Sequence, residues 1–295
     1  MGHHKHHGPQ PVSVRSVEMA VRGSVLRRVS ELPRGEFFAG LIVLGCLNGF
    51  ASRIIYTSEN GWVNALLTTY GISAIVLVSC VAAVSLILRD RTRGVQLREI
   101  ALGAGFLLLI ILPISAASWI ALTGLSLYIL SSTDVVASRQ GATILLATTV
   151  PMLWSRILFK LFAHFILAAD ALLVSRILGT HRTGNLVEFA DHSGQLAIFP
   201  ACSSLANVSL AFLCWVTFSQ LVSHKKSSYD YLWCLLACLV VVVVNVSRMA
   251  VLGFSEANYL SFHNEWGDLV ANVIILGLTV GISALGVRRE LFQRL

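Results

Sequence analysis

Cys202, Arg248 and His263 are the residues of this 295-residue chain whose types best suit covalent chemistry at a peptide carbonyl. A thiolate is the nucleophile in such chemistry, and both a helix N-terminus and a nearby cation favour it. Cys202 follows Pro200 where polar sequence gives way to an apolar run, a place where a helix begins. A histidine can take the thiol proton and later deliver it to a leaving amine. An arginine can stabilise the oxyanion of a tetrahedral intermediate or hold the substrate. Each residue also has a plainer reading. A cysteine at a helix end packs, an arginine there snorkels to an interface, and a histidine there is solvated. Taken singly, the plain readings weigh more; three such residues at one depth bring the two readings level.

The depth comes from the elements that must carry these residues. The chain is 56% hydrophobic and 13% charged, against roughly 25% charged in soluble domains. Its mean hydropathy is +0.75. Leu236 to Val244 runs without a polar break. Such runs fit hydrocarbon better than water. The pattern predicts an all-α integral membrane protein of about eight spans. They are Phe37–Ile55, Gly71–Leu88, Ile100–Leu130 (long and interrupted by Pro113), Gly141–Trp154, Ile157–Leu178, Ser203–Val222, Tyr231–Val246 and Gly267–Val287. Residues 1–36 then form a cytoplasmic tail with a His-rich start, 37–287 the membrane domain and 288–295 a basic cytoplasmic tail.

The net charge of +7 does not point to nucleic acid, because the basic residues sit in short clusters between apolar runs. Arg27 and Arg28, Arg89 to Arg98, Lys225 and Lys226, and Arg288 and Arg289 all fall inside if both termini are inside. The positive-inside rule therefore predicts N-in and C-in. Six or ten spans would keep the same termini. Cys202, Arg248 and His263 then all fall on the outer side.

The longest outer loop, Gly179–Ala201, carries Leu186–Phe189 and Gln195–Phe199 around an Asp-His-Ser-Gly turn. That pattern predicts a short β-hairpin on the membrane surface, just before the sixth span. Cys46, Cys80, Cys214, Cys234 and Cys238 lie in apolar runs and read as small hydrophobes. No CxxC, HExxH, GxSxG or Gly-rich phosphate loop is present. Asp170 lies inside the fifth span, where an acid is costly and often functional; pairing with Lys160 or His164 is the plain alternative.

Three short motifs give the chain a resemblance to the exosortase/archaeosortase family of membrane transpeptidases. Ala201-Cys202-Ser203 resembles the family's Ala-Cys-Ser-Gly block, with Ser204 in place of its glycine. Asn245-Val246-Ser247-Arg248 resembles its Asn-x-x-Arg block, and His263 to Gly267 its His-x-x-x-Gly block. The segment Gly184 to Phe199 is similar to the stretch before the family's cysteine. The resemblance covers about 152–287, the expected catalytic half; the first four spans are similar in hydropathy alone.

The resemblance implies a cysteine peptidase or transpeptidase of the cell membrane with its site facing outward. Its partners would be exported proteins ending in a recognition motif, a transmembrane helix and a basic cluster, together with the membrane lipids. Cys202 would be the nucleophile, His263 the acid/base and Arg248 the oxyanion or substrate clamp. Ser203, Asn245 and Gly267 would support them, and no metal or cofactor is required. Two other classes stand beside this one. A transporter or channel would use Asp170, Lys160 and His164 along a pathway. A non-catalytic scaffold for surface assembly would need none of these residues.

Overall fold

Inside hydrocarbon every backbone N–H and C=O needs a partner within the protein, and an apolar chain meets that demand with helices. The computed structural model describes residues 32–58, 72–224, 227, 229–263 and 265–288, and these are mostly helical. The His-rich start, Lys225 and Lys226, and most of both tails lie outside the described residues. The helices are α1 (Arg34–Ser58), α2 (Ala74–Ile87), α3 (Leu97–Ile111), α4 (Ser115–Ser132) and α5 (Val136–Thr149). They continue with α6 (Ser155–Leu178), α7 (Ser204–Leu221), α8 (Asp230–Leu252), the short α9 (Glu256–Phe262) and α10 (Glu265–Gly286). Among the described residues, six helical stretches are long and apolar enough to cross a membrane, with α5 and α6 counted as one; α2 is apolar but shorter.

Two differences from the sequence expectation change how the spans connect, and a third extends the seventh span, expected to end at Val246, to Leu252, so that Arg248 lies within α8. The expected third span, Ile100–Leu130, is two antiparallel helices. Pro113 has no N–H and disfavours helical geometry at the residue before it, and Leu112 is accordingly extended at φ −58°, ψ 134°. The side-chain amide of Asn48 donates to the freed carbonyls of Ile110 (2.7 Å) and Leu112 (2.8 Å). The Ser115 hydroxyl and the Trp119 indole N–H both donate to the Gly49 carbonyl. At the far end of the pair, Glu99 of α3 and Ser132 of α4 both accept from Arg34. Chain 97–132 therefore leaves and returns to one end of the molecule.

Conversely, the expected fourth and fifth spans are joined. Val136–Leu178 is a helical stretch of 43 residues. A straight helix of that length would measure about 64 Å, twice the ~30 Å of hydrocarbon. The stretch is instead broken by a π turn at Val150–Trp154, which absorbs Pro151, and by a kink at Phe162 (φ −123°, ψ 19°). One expected span becomes two and two become one, so α7 still begins at the end opposite Arg34.

The first half packs α1, α2, α4 and α5 around Phe38, Ile42, Leu122, Leu125, Ile144 and Leu145, all 2% exposed or less. Arg34 is sealed beneath this core. Its guanidinium donates to Glu99 (2.8 Å), Asp90 (3.3 Å) and Ser132, and lies over the Phe38 ring. Arg93 also pairs with Glu99, and the Ser138 hydroxyl donates to Asp90. Burial alone would raise the Asp90 carboxyl. Hydrogen bonds from Thr92 and Ser138, with the charge of Arg34, outweigh it and hold that carboxyl below its usual range.

The second half joins α6, α7, α8 and α10 through smaller apolar clusters. Gly179, in the left-handed conformation at φ 69°, ends α6. An antiparallel sheet follows, ordered β1 (Arg182–Thr183), β2 (Leu186–Glu188), β3 (Gln195–Ala197). Gly184, at φ 61°, makes the tight turn between β1 and β2. Val187 and Leu196 are buried under the sheet. The loop after β2 is tied to the end of α8, where the N–H groups of Ala190 and Asp191 donate to the carbonyls of Gly253 and Phe254.

Candidate functional site

Pro200–Cys202 forms one 3₁₀ turn, closed by the Cys202 N–H on the Phe199 carbonyl (2.9 Å). Ser203 is then extended and caps α7, its hydroxyl accepting the Leu205 N–H (3.3 Å). Cys202 thus stands just outside the N-terminus of α7 rather than in its first turn. Its side chain is partly buried against a cluster that includes Ala171, Val174, Val187, Ile198 and Met249.

Two buried polar groups fix this entry. Asp170, from α6, accepts the Ser204 N–H at 3.1 Å and caps the same helix from outside. A carboxylate there faces the positive end of the α7 dipole. Asn245, from α8, donates through its amide to the Cys202 carbonyl (2.8 Å) and the Ser204 hydroxyl (3.1 Å). Asp170, Ser204 and Asn245 are all 6% exposed or less. The peptide carrying the thiol is therefore held between α6 and α8.

Arg248 follows Asn245 by three residues, which places both on one side of α8. It lines a cavity of about 690 Å³ between α8 and α10, with Ser247, Ser261, Phe262, Gly267 and Ile274 among the walls. Leu252 belongs both to this wall and to the cluster in which Cys202 packs. Among the described residues, the wall includes Arg248 and Gly267 but neither Cys202 nor His263.

His263 ends α9, its N–H on the Tyr259 carbonyl (2.9 Å). Its exposed ring stacks on Tyr259 with centroids 4.8 Å apart and planes 17° from parallel. Tyr259 in turn packs against the cluster that holds Cys202. The six expected site residues therefore fall into two linked groups. Cys202, Ser203 and Asn245 meet at the start of α7, and Arg248 and Gly267 share the cavity. Tyr259 connects His263 to the first group, and Leu252 connects the cavity to it.

Asp170 pairs with neither Lys160 nor His164. Side chains meet on one helix at spacings of three or four, and these lie ten and six residues away. Its partner is a backbone N–H of another helix, which residue types cannot reveal. Tyr259 was absent from the expected site, although its i, i+4 relation to His263 in a helical stretch was a readable signal. Ser204, which stands where the resembled family has glycine, accepts from the Asn245 amide through its hydroxyl.

Compared with protein-family models, with curated proteins and with solved structures, the chain matches none.

Proposed function

We propose that this chain is a membrane-embedded cysteine peptidase or transpeptidase of the exosortase/archaeosortase kind. It spans the cell membrane eight times with both termini inside, and its site faces outward. Its substrates are exported proteins carrying a C-terminal motif, a helix and a basic cluster. The observation that carries this reading is the Asn245 amide, which bridges the Cys202 carbonyl and the Ser204 hydroxyl. It ties the Cys202 peptide to the helix face that also bears Arg248.

In the proposed reaction the Cys202 thiol gives its proton to His263, and the sulfur attacks the scissile carbonyl. Arg248 offsets the charge that develops on the carbonyl oxygen. The tetrahedral intermediate collapses to a thioester as the C–N bond breaks, and His263 returns the proton to the leaving amine. Water or an acceptor amine then attacks the thioester and releases the thiol. The apolar cavity beside Arg248 has room for part of the substrate's hydrophobic helix. Ser204, buried and bonded to Asn245, keeps its side chain inside the protein.

Labelling of intact cells with a membrane-impermeant thiol reagent tests the proposal. Cys202 should react from outside, and faster with Arg248 and His263 intact than in Arg248→Ala or His263→Ala. A Cys202 that does not react, or whose rate ignores both substitutions, would overturn it.

A further inference from the structure

Residues 195–197 form an outer strand of the sheet. The Ile198 N–H donates to the Asn185 carbonyl and the Phe189 N–H to the Gly194 carbonyl, both at 3.0 Å. Backbone direction alternates along an antiparallel ladder. Leu196, opposite Val187, therefore points its N–H and C=O at β2, and Gln195 and Ala197 point theirs away. Among the described residues these outward groups have no partner, and both residues reach solvent.

Sheet edges are usually blunted by proline, lysine or a bulge. β3 carries none of these. The opposite edge, β1, is two residues long, and the Arg182 guanidinium folds back onto the Gly184 carbonyl (3.1 Å). From Ala197 the chain passes the exposed Phe199 and reaches Cys202 within five residues. Cys202 packs in the same cluster as Val187 and Ile198 of the sheet.

A row of alternating, unpaired N–H and C=O groups matches one kind of ligand, an extended peptide backbone. We propose that β3 is a docking edge: an extended peptide adds there as a fourth strand and is led along Phe199 to Cys202. This inference rests on the proposed role of Cys202 as nucleophile. It adds that recognition is made largely through the main chain. Substrate residues whose N–H faces Gln195 or Ala197 must keep it. Every second substrate residue is free of that demand, because strand geometry turns its N–H away.

The test uses wild-type protein in detergent and follows alkylation of each cysteine by mass spectrometry. The reagents are iodoacetamide and two iodoacetyl pentapeptides, one of alternating Thr and Val, the other of alternating Ser and Leu. Each peptide is also made N-methylated at its odd or at its even residues. Both unmethylated peptides should alkylate Cys202 roughly tenfold faster than iodoacetamide, as a few backbone hydrogen bonds would produce. One methylation series should remove the acceleration and the other should keep it. Ala197→Pro deletes an outward N–H without touching the β2–β3 ladder. It should lose the acceleration while reacting with iodoacetamide at the wild-type rate. No acceleration, or acceleration that survives both methylation series, overturns the docking edge. These comparisons need only wild-type protein, so they stand even if Ala197→Pro does not fold. Failure of the underlying reading looks different: iodoacetamide would then label Cys202 no faster in wild type than in Arg248→Ala or His263→Ala.

Discussion

The two ends of the molecule treat buried polar groups in opposite ways. At the Arg34 end, two cations and two carboxylates neutralise one another, and the hydroxyls of Ser132 and Ser138 complete the set. Five segments are tied there, and the largest apolar core lies directly above. At the sheet end, one hydrogen bond accepted by Asp170 and two donated by Asn245 hold the entry to α7. The apolar clusters are smaller, a cavity stays open beside Arg248, and a strand edge faces outward. One end holds helices together; the proposal asks the other to bind something outside the chain as well. A charge buried with all its partners gives local rigidity, whereas a site must keep some groups available.

The largest expected effect belongs to the first end. Arg34→Met leaves Asp90 without its cation and Glu99 with Arg93 alone, and should cost about 3–5 kcal/mol, read as a fall in the thermal unfolding midpoint in detergent. A small change would mean that the ion cluster does not hold the first half together. Next comes Asn245→Ala, which leaves the Cys202 carbonyl and the Ser204 hydroxyl without a donor. It should cost about 1–3 kcal/mol and slow external labelling of Cys202 at least several-fold. If stability falls but the labelling rate does not, Asn245 is structural and the bridging observation loses its weight.

Asp170→Ala removes the outside cap of α7 and should cost about 0.5–2 kcal/mol, while Asp170→Asn keeps an acceptor and should cost less. Should Asp170→Asn instead abolish movement of a solute across vesicle membranes, with Cys202→Ala silent, the transporter class would gain over the enzyme. The smallest effect is on acidification. Asp90 is held below its usual range, so its contribution is present above the unfolded carboxylate value and is lost as pH falls through the lower folded one. Unfolding should therefore become easier below about pH 4, and Asp90→Asn should flatten that part of the profile. An unchanged acid limb would separate Asp90 from the cluster's stability.

Several features are legible in the sequence alone. Pro113 marked a break because its ring and missing N–H act locally. The helical starts near Ser203 and Tyr231 were readable from the change of polarity alone. Asn245 and Arg248 were paired by their motif, but the expected span stopped at Val246, and only the longer α8 puts both on one helix face. The junction of α5 and α6 was not legible. A π turn at Pro151 and a kink at Phe162 carry the chain across a place where hydropathy alone put a loop between spans. Arg34 read as one more tail charge, and nothing local marks Glu99, 65 positions later, as its partner.

What the sequence by itself determined is the solvent of this chain and the period of its elements, because hydrophobicity and helical spacing are sums over neighbours. It also marked Cys202, Arg248 and His263 as chemically able side chains. The tertiary structure decided which polar groups meet. Asp170 caps α7, Asn245 grips the Cys202 peptide, Tyr259 stands between His263 and the thiol's cluster, and β3 keeps an open edge. Those outcomes depend on how helices far apart in the chain are brought together, and no local property of the residues encodes that.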